Sequence, residues 1–377
     1  MATACRAMPV STEEVAPSLQ QGLAERVAAY HRDIRAEFPR LDRIAVAIYD
    51  SRTDLLRSFV DSSEGGNPFE HTMARLADLP ELARVARSGG IRVIDDMVTH
   101  QASSASLSRR LVKAGYLSSF AMPIHHKGAF QGFVFFNSFL RDYFTPSVIR
   151  GLRPVADLVA LTTVMELEAV RMLQAAVHTV RQMSRARDEE THAHLERMAR
   201  YARIIALRLA PRRGRSDEWV EFLYQFAPLH DIGKIGVPDH ILFKPGRLTP
   251  EEFEVMKQHV AKGCEIVEVM AGNFGIDRAS HVDILHNVVG HHHECVDGSG
   301  YPLGLSGDAV SLEGRIVAVA DVFDALTSNR PYKKAWTNDE ALAFLTEQAG
   351  RKFDPEAVDI LCSSQSAVRD IQRTFTD

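Results

Sequence analysis

The chain has 377 residues, of which 45% are hydrophobic and 25% charged, and its formal net charge is −5. This length is enough for two or three domains that each bury a core, and the composition is that of an ordinary globular protein. A nucleic-acid binder normally shows a basic excess, so the acidic balance predicts no DNA partner and only local recognition of phosphate.

Cysteines and apolar runs indicate the compartment. Cys5, Cys264, Cys295 and Cys362 are scattered without a Cys-x-x-Cys pair, which argues against a disulfide framework and a zinc ribbon. No apolar segment of signal-peptide length follows Met1, and no run approaches the roughly 20 apolar residues of a membrane helix. We therefore expect a cytoplasmic protein with reduced thiols and no membrane contact.

The first half of the chain predicts strands enclosed by two helices. Residues 1–18 contain prolines and polar residues, and we expect a flexible N-terminus there. Apolar residues at helical spacing predict a helix over residues 19–38, and a closing helix is predicted near residues 146–165. Strands are predicted at residues 43–49, 55–60, 90–94, 119–124 and 132–137.

The order of these elements resembles a GAF sensory domain, as does the hairpin sequence MPIHHKGAFQGFV at residues 122–134. The resemblance implies a domain over residues 19–160 with an antiparallel sheet flanked by helices. It also implies a small-molecule ligand, whose nature the sequence does not indicate.

A connecting helix is predicted over residues 161–186, because residues 160–185 contain no glycine or proline. Val170, Leu173, Val177 and Val180 follow one another at spacings of three, four and three, as in the seam of a coiled coil. Two interpretations remain open: a parallel homodimer through this helix, or one amphipathic helix packed on its own domain.

Two stretches of the second half carry candidate metal ligands. The sequence GHHHECVDGSGYP at residues 290–302 places histidines and acids before a turn rich in glycine. Imidazoles and carboxylates bind divalent cations, although a solvated polar loop has the same composition. Upstream, FAPLHDIGKIG at residues 226–236 places His230 and Asp231 at the end of an apolar helix. Adjacent helical side chains point about 100° apart, so this pair would reach two neighbouring ions.

Two further helices are predicted around polar side chains. The sequence IVAVADVFDAL at residues 316–326 places Asp321 in a nearly continuous apolar helix. Burial of an unpaired carboxylate is costly, so we expect Asp321 to be buried beside a metal or another cation. A capping box at Thr249 and Glu252 begins a helix with Phe253, Met256, Val260 and Val267 predicted on its apolar face.

These stretches, together with AVADVFDALTSNRPYK at residues 318–333, resemble an HD-GYP domain over residues 187–377. That family consists of metal-dependent phosphodiesterases that hydrolyse cyclic di-GMP. The resemblance implies an all-α C-terminal domain, so we expect an α+β two-domain chain whose GAF-like and HD-GYP domains are joined by a long helix.

The resemblance also completes the ligand set. On periodicity alone Glu190 and His194, four residues apart, would be a surface ion pair, and His259 would be a core histidine. The family pattern makes all three of them ligands. The implied metal ligands are Glu190, His194, His230, Asp231, His259, His292, His293 and Asp321. These nitrogen and oxygen donors suit two or three divalent ions bridged by Asp231, with iron preferred and manganese as the alternative.

The expected catalytic residues are His230, Asp231 and Lys234, because a lysine one turn beyond Asp231 is placed to bind a phosphate oxygen. The resemblance adds Tyr301, Arg330 and Lys333 as substrate contacts, although the two cations also fit a solvated surface. Glu294 and Asp297 are expected to orient ligands or the turn.

The resemblance implies hydrolysis of cyclic di-GMP to pGpG, with a further step to GMP left open, under control of the N-terminal domain. Two alternatives remain. One is a receptor or scaffold that binds cyclic di-GMP without turnover, and the other is a phosphodiesterase for another cyclic dinucleotide, because no residue is seen to read guanine.

Overall fold

The computed structural model describes residues 22–63, 67–101, 106–183, 191–274, 282–328 and 335–376. The predictions for residues 1–18 and for Glu190, Arg330 and Lys333 therefore lie outside the described residues. The chain forms two compact units, of which the second consists of Val164–Asp377 together with the short segments Arg57–Phe59 and Phe69–Ala74. The main division between the units falls within one long helix, at Thr163 and Val164. The described helices include none that is long and apolar enough to span a membrane.

The first unit is built on a six-stranded sheet. Its strands, in the spatial order β3-β2-β1-β6-β5-β4, are β1 (Arg43–Asp50), β2 (Leu55–Ser63), β3 (Met73–Arg75), β4 (Arg92–Ile94), β5 (Ser118–His126) and β6 (Ala129–Ser138). The pairs β1–β6, β5–β6 and β4–β5 are antiparallel. The accompanying helices are α1 (Leu23–Ile34), α2 (Pro80–Ser88), α3 (Met97–Gln101), α4 (Ser106–Lys113) and the first part of α5 (Pro146–Met183). The predicted antiparallel sheet flanked by helices is confirmed.

Local sequence explains the central hairpin. Lys127 and Gly128, between β5 and β6, both have positive φ, 50° and 78°. Two such residues make a tight turn whose twist matches the paired strands. The hairpin then places Ala121 and Phe133 in one apolar cluster with Leu82 of α2.

The sequence analysis missed α2, although its boundary signals are present. Pro80 occupies the first turn of this helix, and Gly89 follows its last turn with φ +69°. Proline at the start and left-handed glycine past the end are typical helix boundaries.

The helix α5 is continuous over 38 residues. Val170 is buried, 4% exposed, and lines a small apolar cavity with Phe226, Val267 and Leu285. This position packs within its own unit, so at Val170 the structure supports the second interpretation, an amphipathic helix packed on its own domain. The side chains of Leu173, Val177 and Val180 lie outside the described part of the chain.

The second unit is helical, as predicted. Its helices are α6 (His192–Arg213), α7 (Asp217–Phe226), α8 (Asp239–Leu242), α9 (Pro250–Phe274), α10 (Val282–His291), α11 (Leu312–Thr327), α12 (Asn338–Glu347), α13 (Pro355–Cys362) and α14 (Gln365–Thr374). Short 3-10 turns follow α7 at Ala227–Leu229 and Ile232–Gly236.

The predicted start of α9 is confirmed, but one of its core residues is not. The Thr249 amide donates to Glu252 Oε2 at 2.7 Å, and the Glu252 amide donates to Thr249 Oγ1 at 3.2 Å. Val260 is buried, whereas Phe253 is 44% exposed. The apolar stripe therefore faces the core only from the second turn of the helix onwards.

Candidate metal centre

His230 and Asp231 lie between two 3-10 turns, because α7 has already ended at Phe226. The prediction that they stand at the end of the helix is therefore corrected. Gly233 explains their position: a Cβ there would lie 1.8 Å from the His259 carbonyl oxygen and 2.4 Å from the Gly263 nitrogen. Only glycine allows such a close approach of two backbones. The turn thus brings His230 and Asp231 against α9.

A first group of possible ligand atoms surrounds Asp231. It consists of Asp231, His259, His292 and His293, with one donor atom of each within 4.8 Å of the others. Asp231 Oδ1 is 3.0 Å from His259 Nε2 and 3.6 Å from His292 Nε2. Asp231 comes from the stretch between the two 3-10 turns, His259 comes from α9, and His292 and His293 directly follow α10.

A second group consists of His194, His230 and Asp321. Asp321 Oδ1 is 3.5 Å from His194 Nε2 and 3.9 Å from His230 Nε2. His230 Nε2 is also 3.2 Å from Asp231 Oδ2. The two groups therefore meet at the consecutive residues His230 and Asp231.

Backbone carbonyl groups orient three of the imidazole rings. The Nδ1 atoms of His230, His259 and His292 donate to the carbonyl oxygens of Ala227, Met256 and Val289, at 3.0, 2.8 and 3.0 Å. In this tautomer each Nε2 atom carries the lone pair and points toward the carboxylates.

The buried Nε2 atoms of His259 and His292 receive no hydrogen bond from the described residues. Buried polar atoms without a hydrogen bond are rare, and a missing ion is one explanation. Nitrogen and carboxylate donors without thiolates suit divalent cations, so the residues of both groups fit such ions.

His194 is oriented differently, by a buried carboxylate. Its Nδ1 donates to Asp324 Oδ2 at 2.8 Å, and Asp324 has no exposed surface. The prediction that Asp321 is the buried carboxylate of α11 is wrong, because its side chain remains 22% exposed. Asp324, one turn further along the same helix, is the buried acid, and the sequence analysis gave it no role.

Arg197 balances the charge of Asp324. Its Nε and Nη2 atoms donate to the two carboxylate oxygens at 2.7 and 3.0 Å, and Ser328 Oγ donates at 3.0 Å. Burial alone raises the pKa of the Asp324 carboxyl, but the hydrogen bonds from His194 and Arg197 bring this pKa below its usual value. Asp324 is therefore an ionised acceptor for His194.

The protonation states of the first group also favour the binding of a cation. Burial alone raises the pKa of the Asp231 carboxyl, but the Lys234 ammonium, 2.6 Å away, and His230 hold this pKa well below its usual range. Burial lowers the pKa values of His292 and His293. An ionised carboxylate and neutral imidazoles are the forms that bind metals.

A tight loop follows the histidine run. Glu294 is buried and accepts hydrogen bonds from the amides of Leu303 and Leu305, at 2.7 and 3.0 Å. A Cβ at Gly300 would lie 2.3 Å from the Cys295 nitrogen, so the loop folds back closely on itself. Tyr301 is thereby stacked on His293, with ring centroids 4.6 Å apart.

The structure thus brings together seven of the predicted ligand residues, with Lys234 and Tyr301 beside them. Glu190, Arg330 and Lys333 are not among the described residues. The seven are His194, His230, Asp231, His259, His292, His293 and Asp321.

Comparison with known proteins finds relatives of the part of the chain that carries this site. The family model described as "HD domain" matches residues 178–357. The chain is 46% identical over 201 residues to the cyclic di-GMP phosphodiesterase response regulator RpfG of Xanthomonas campestris pv. campestris, covering 52% of this chain and 50% of the relative. It is 40% identical over 176 residues to the 3'3'-cGAMP-specific phosphodiesterase 2 of Vibrio cholerae, covering 47% of this chain and 32% of the relative.

The chain thus spans half the length, or less, of these two curated relatives. Among solved structures, the GAF domain/HD domain protein of Geobacter sulfurreducens aligns at 16% identity and a TM-score of 0.30. That alignment covers 38% of this chain and 92% of the other.

Proposed function

We propose that the C-terminal half of this chain is an HD domain, and that the protein is a metal-dependent phosphodiesterase that hydrolyses cyclic di-GMP to linear pGpG. One observation carries the proposal: two groups of nitrogen and oxygen donors meet at His230 and Asp231. Adjacent cations are the arrangement that phosphodiester hydrolysis uses to act on both the attacking and the leaving oxygen. The name of the Xanthomonas relative supports the choice of substrate.

We assign the predicted donors as metal ligands, with Asp231 shared between neighbouring ions. Its two oxygens support this role, because Oδ1 faces His259 and Oδ2 faces His230. Glu190 would bind a third ion together with His194. Of iron and manganese, the two candidates that suit a site of imidazoles and carboxylates, we propose iron.

In this site, divalent ions would supply a nucleophile at neutral pH and would neutralise the charge that develops on the phosphoryl oxygens. The chain's own residues position the substrate. The Nζ atom of Lys234 lies 2.6 Å from Asp231 Oδ2. We assign this ammonium group as a donor to a phosphate oxygen of a substrate bound beside Asp231. Tyr301, beside His293, lies within reach of the same substrate, and we assign Arg330 and Lys333 to its second phosphate.

Product analysis tests this function. Protein loaded with iron or manganese under reducing, anaerobic conditions is expected to convert cyclic di-GMP to pGpG, and chromatography would also show any GMP. The His259→Ala variant is expected to lose this activity together with bound metal. His240→Ala is the matched control, because His240 is an exposed histidine outside both groups. Metal-loaded protein that binds cyclic di-GMP without releasing pGpG would instead be a receptor, and the enzymatic proposal would be wrong.

A second candidate substrate is 3'3'-cGAMP. The observation in its favour is the 40% identity to a Vibrio cholerae phosphodiesterase specific for that dinucleotide. Competition between cyclic di-GMP and 3'3'-cGAMP in one reaction decides, because the preferred substrate is consumed first.

We further propose that residues 19–160 form a sensory domain that binds a small molecule. Residues 161–186 would connect it to a catalytic domain over residues 187–377. A homodimer through α5 is supported by Leu161, Met165 and Met172, which are 56%, 58% and 55% exposed and recur at spacings of four and seven. Leu161→Glu combined with Met165→Glu is expected to give a monomer in analytical ultracentrifugation, and an unchanged mass would exclude this surface.

A further inference from the structure

An exposed aromatic side chain stands beside the metal centre. Phe253 lies in the first turn of α9 and is 44% exposed. Its ring meets Tyr301 edge to face, with centroids 6.1 Å apart at 81°. Tyr301 in turn is stacked on His293, with an interplanar angle of 26°. A continuous series of rings therefore leads from a proposed metal ligand to the protein surface.

A cation accompanies these rings. Lys257 lies one turn after Phe253, and its Nζ is 5.4 Å from the Phe253 ring centroid and 5.7 Å from that of Tyr301. The same Nζ pairs with Glu254 Oε1 at 2.6 Å. An ammonium within about 6 Å of a ring centroid interacts favourably with the ring face. Lys257 therefore adds positive charge to an aromatic surface that would otherwise be only apolar.

The distance of this surface from the metal centre indicates which part of a substrate it would contact. Tyr301 is 6.4 Å from His259 as well as 4.6 Å from His293, measured between ring centroids. A substrate whose phosphate is held at the first group therefore has Tyr301 beside it, with Phe253 next along the surface. The rest of a cyclic dinucleotide consists of ribose and a purine base, and the base has a flat face suited to aromatic stacking.

We propose that Phe253, with Tyr301 and Lys257, forms a stacking surface for one guanine base of the cyclic dinucleotide. This assignment deepens the proposed function and rests on it. Lys257, whose ammonium group also pairs with Glu254, lies against the rings, and the rings bind the base without reading its edge. Such a surface raises affinity for either purine and therefore does not itself distinguish cyclic di-GMP from 3'3'-cGAMP.

Kinetics of a Phe253 variant test the assignment. Phe253→Ala is expected to raise KM for cyclic di-GMP about tenfold while kcat stays within about twofold, since base stacking is worth 1–3 kcal/mol. Phe253→Trp is expected to restore the KM of the original protein, because it restores the aromatic face. Val269→Ala is the matched control, since Val269 is 62% exposed on the same helix.

Fluorescence tests stacking independently of turnover. A cyclic dinucleotide carrying 2-aminopurine is expected to be quenched on binding to the metal-loaded protein, and this quenching should be absent with Phe253→Ala at saturating ligand. An unchanged KM, or unchanged quenching, in Phe253→Ala would overturn the assignment. A protein that quenches the analogue but hydrolyses no cyclic dinucleotide would disprove the proposed function while supporting the stacking surface.

Discussion

Asp324 shows how one buried charge can set the properties of a metal site at the scale of a residue. It accepts a hydrogen bond from His194 Nδ1 and is held on its other side by Arg197. A carboxylate bonded to a ligating imidazole fixes the ring orientation and makes the ring a stronger donor. We therefore expect Asp324 to act as a positioning residue for the second group.

The Asp324→Asn variant is expected to bind the ion of the second group about 10- to 100-fold more weakly, because the amide carries no charge to polarise His194. Metal content after equilibrium dialysis measures this loss. Asp354→Asn is the matched control: Asp354 is also buried and accepts from an arginine, Arg315, at 2.8 Å, but it lies outside the metal groups. Equal metal loss in both variants would show that Asp324 has only a structural role.

Sequence patterns indicated the predicted ligand residues better than the residues that surround them. His230, Asp231, His292 and His293 stand in motifs whose residue types alone indicate cations. Asp321 and Asp324 are three residues apart on one apolar helix, and this spacing does not tell which carboxylate is buried. The distinction depends on His194 and Arg197, which lie more than a hundred residues away in the chain, so only the folded structure reveals it.

At the scale of an element, the contact between the 3-10 turn at Ile232–Gly236 and α9 controls the geometry of the first group. Gly233 and Gly263 face each other there, and neither has room for a side chain: a Cβ at Gly263 would lie 2.6 Å from Val289 Cγ1. The sequence analysis did not predict this contact for Gly233, because a close approach to a distant helix cannot be inferred from local sequence. In the structure, Gly233 allows the close contact of the 3-10 turn with α9.

Gly233→Ala is expected to destabilise the second unit by about 1–3 kcal/mol or more, as overpacking typically does, and to separate Asp231 from His259. Chemical denaturation and metal content measure the two effects. Gly272→Ala on α9 is the control, since a Cβ there meets nothing within 4 Å. Alanine should stabilise this helix by up to about 1 kcal/mol. If both variants had the same stability as the original protein, the turn would not depend on this contact.

At the scale of the whole molecule, the predicted ligands come from elements across most of the second unit: α6, the 3-10 region after α7, α9, the end of α10, and α11. A bound ion therefore crosslinks segments that are distant in the chain. Ligands that bind only the folded state stabilise it by mass action. Because these predicted ligands lie in the second unit, bound ions increase the free energy of unfolding of that unit.

Removal of metal by a chelator is expected to lower the melting temperature of the second unit and to leave that of the first unchanged. The loss is about 4 kcal/mol for each ion present at 1,000 times its dissociation constant. Differential scanning calorimetry with and without chelator separates the two transitions. A decrease in both transitions, or in neither, would contradict the assignment of the ions to the second unit.

The carbonyl anchors of His230, His259 and His292 limit how such a centre can vary. Each anchor belongs to the main chain of the preceding turn, so no side-chain replacement can delete it while the local fold persists. The anchor of His194 is a side chain, Asp324. A substitution in α11, at Asp324, is therefore the most direct way to change the affinity for the ions while every ligand is kept.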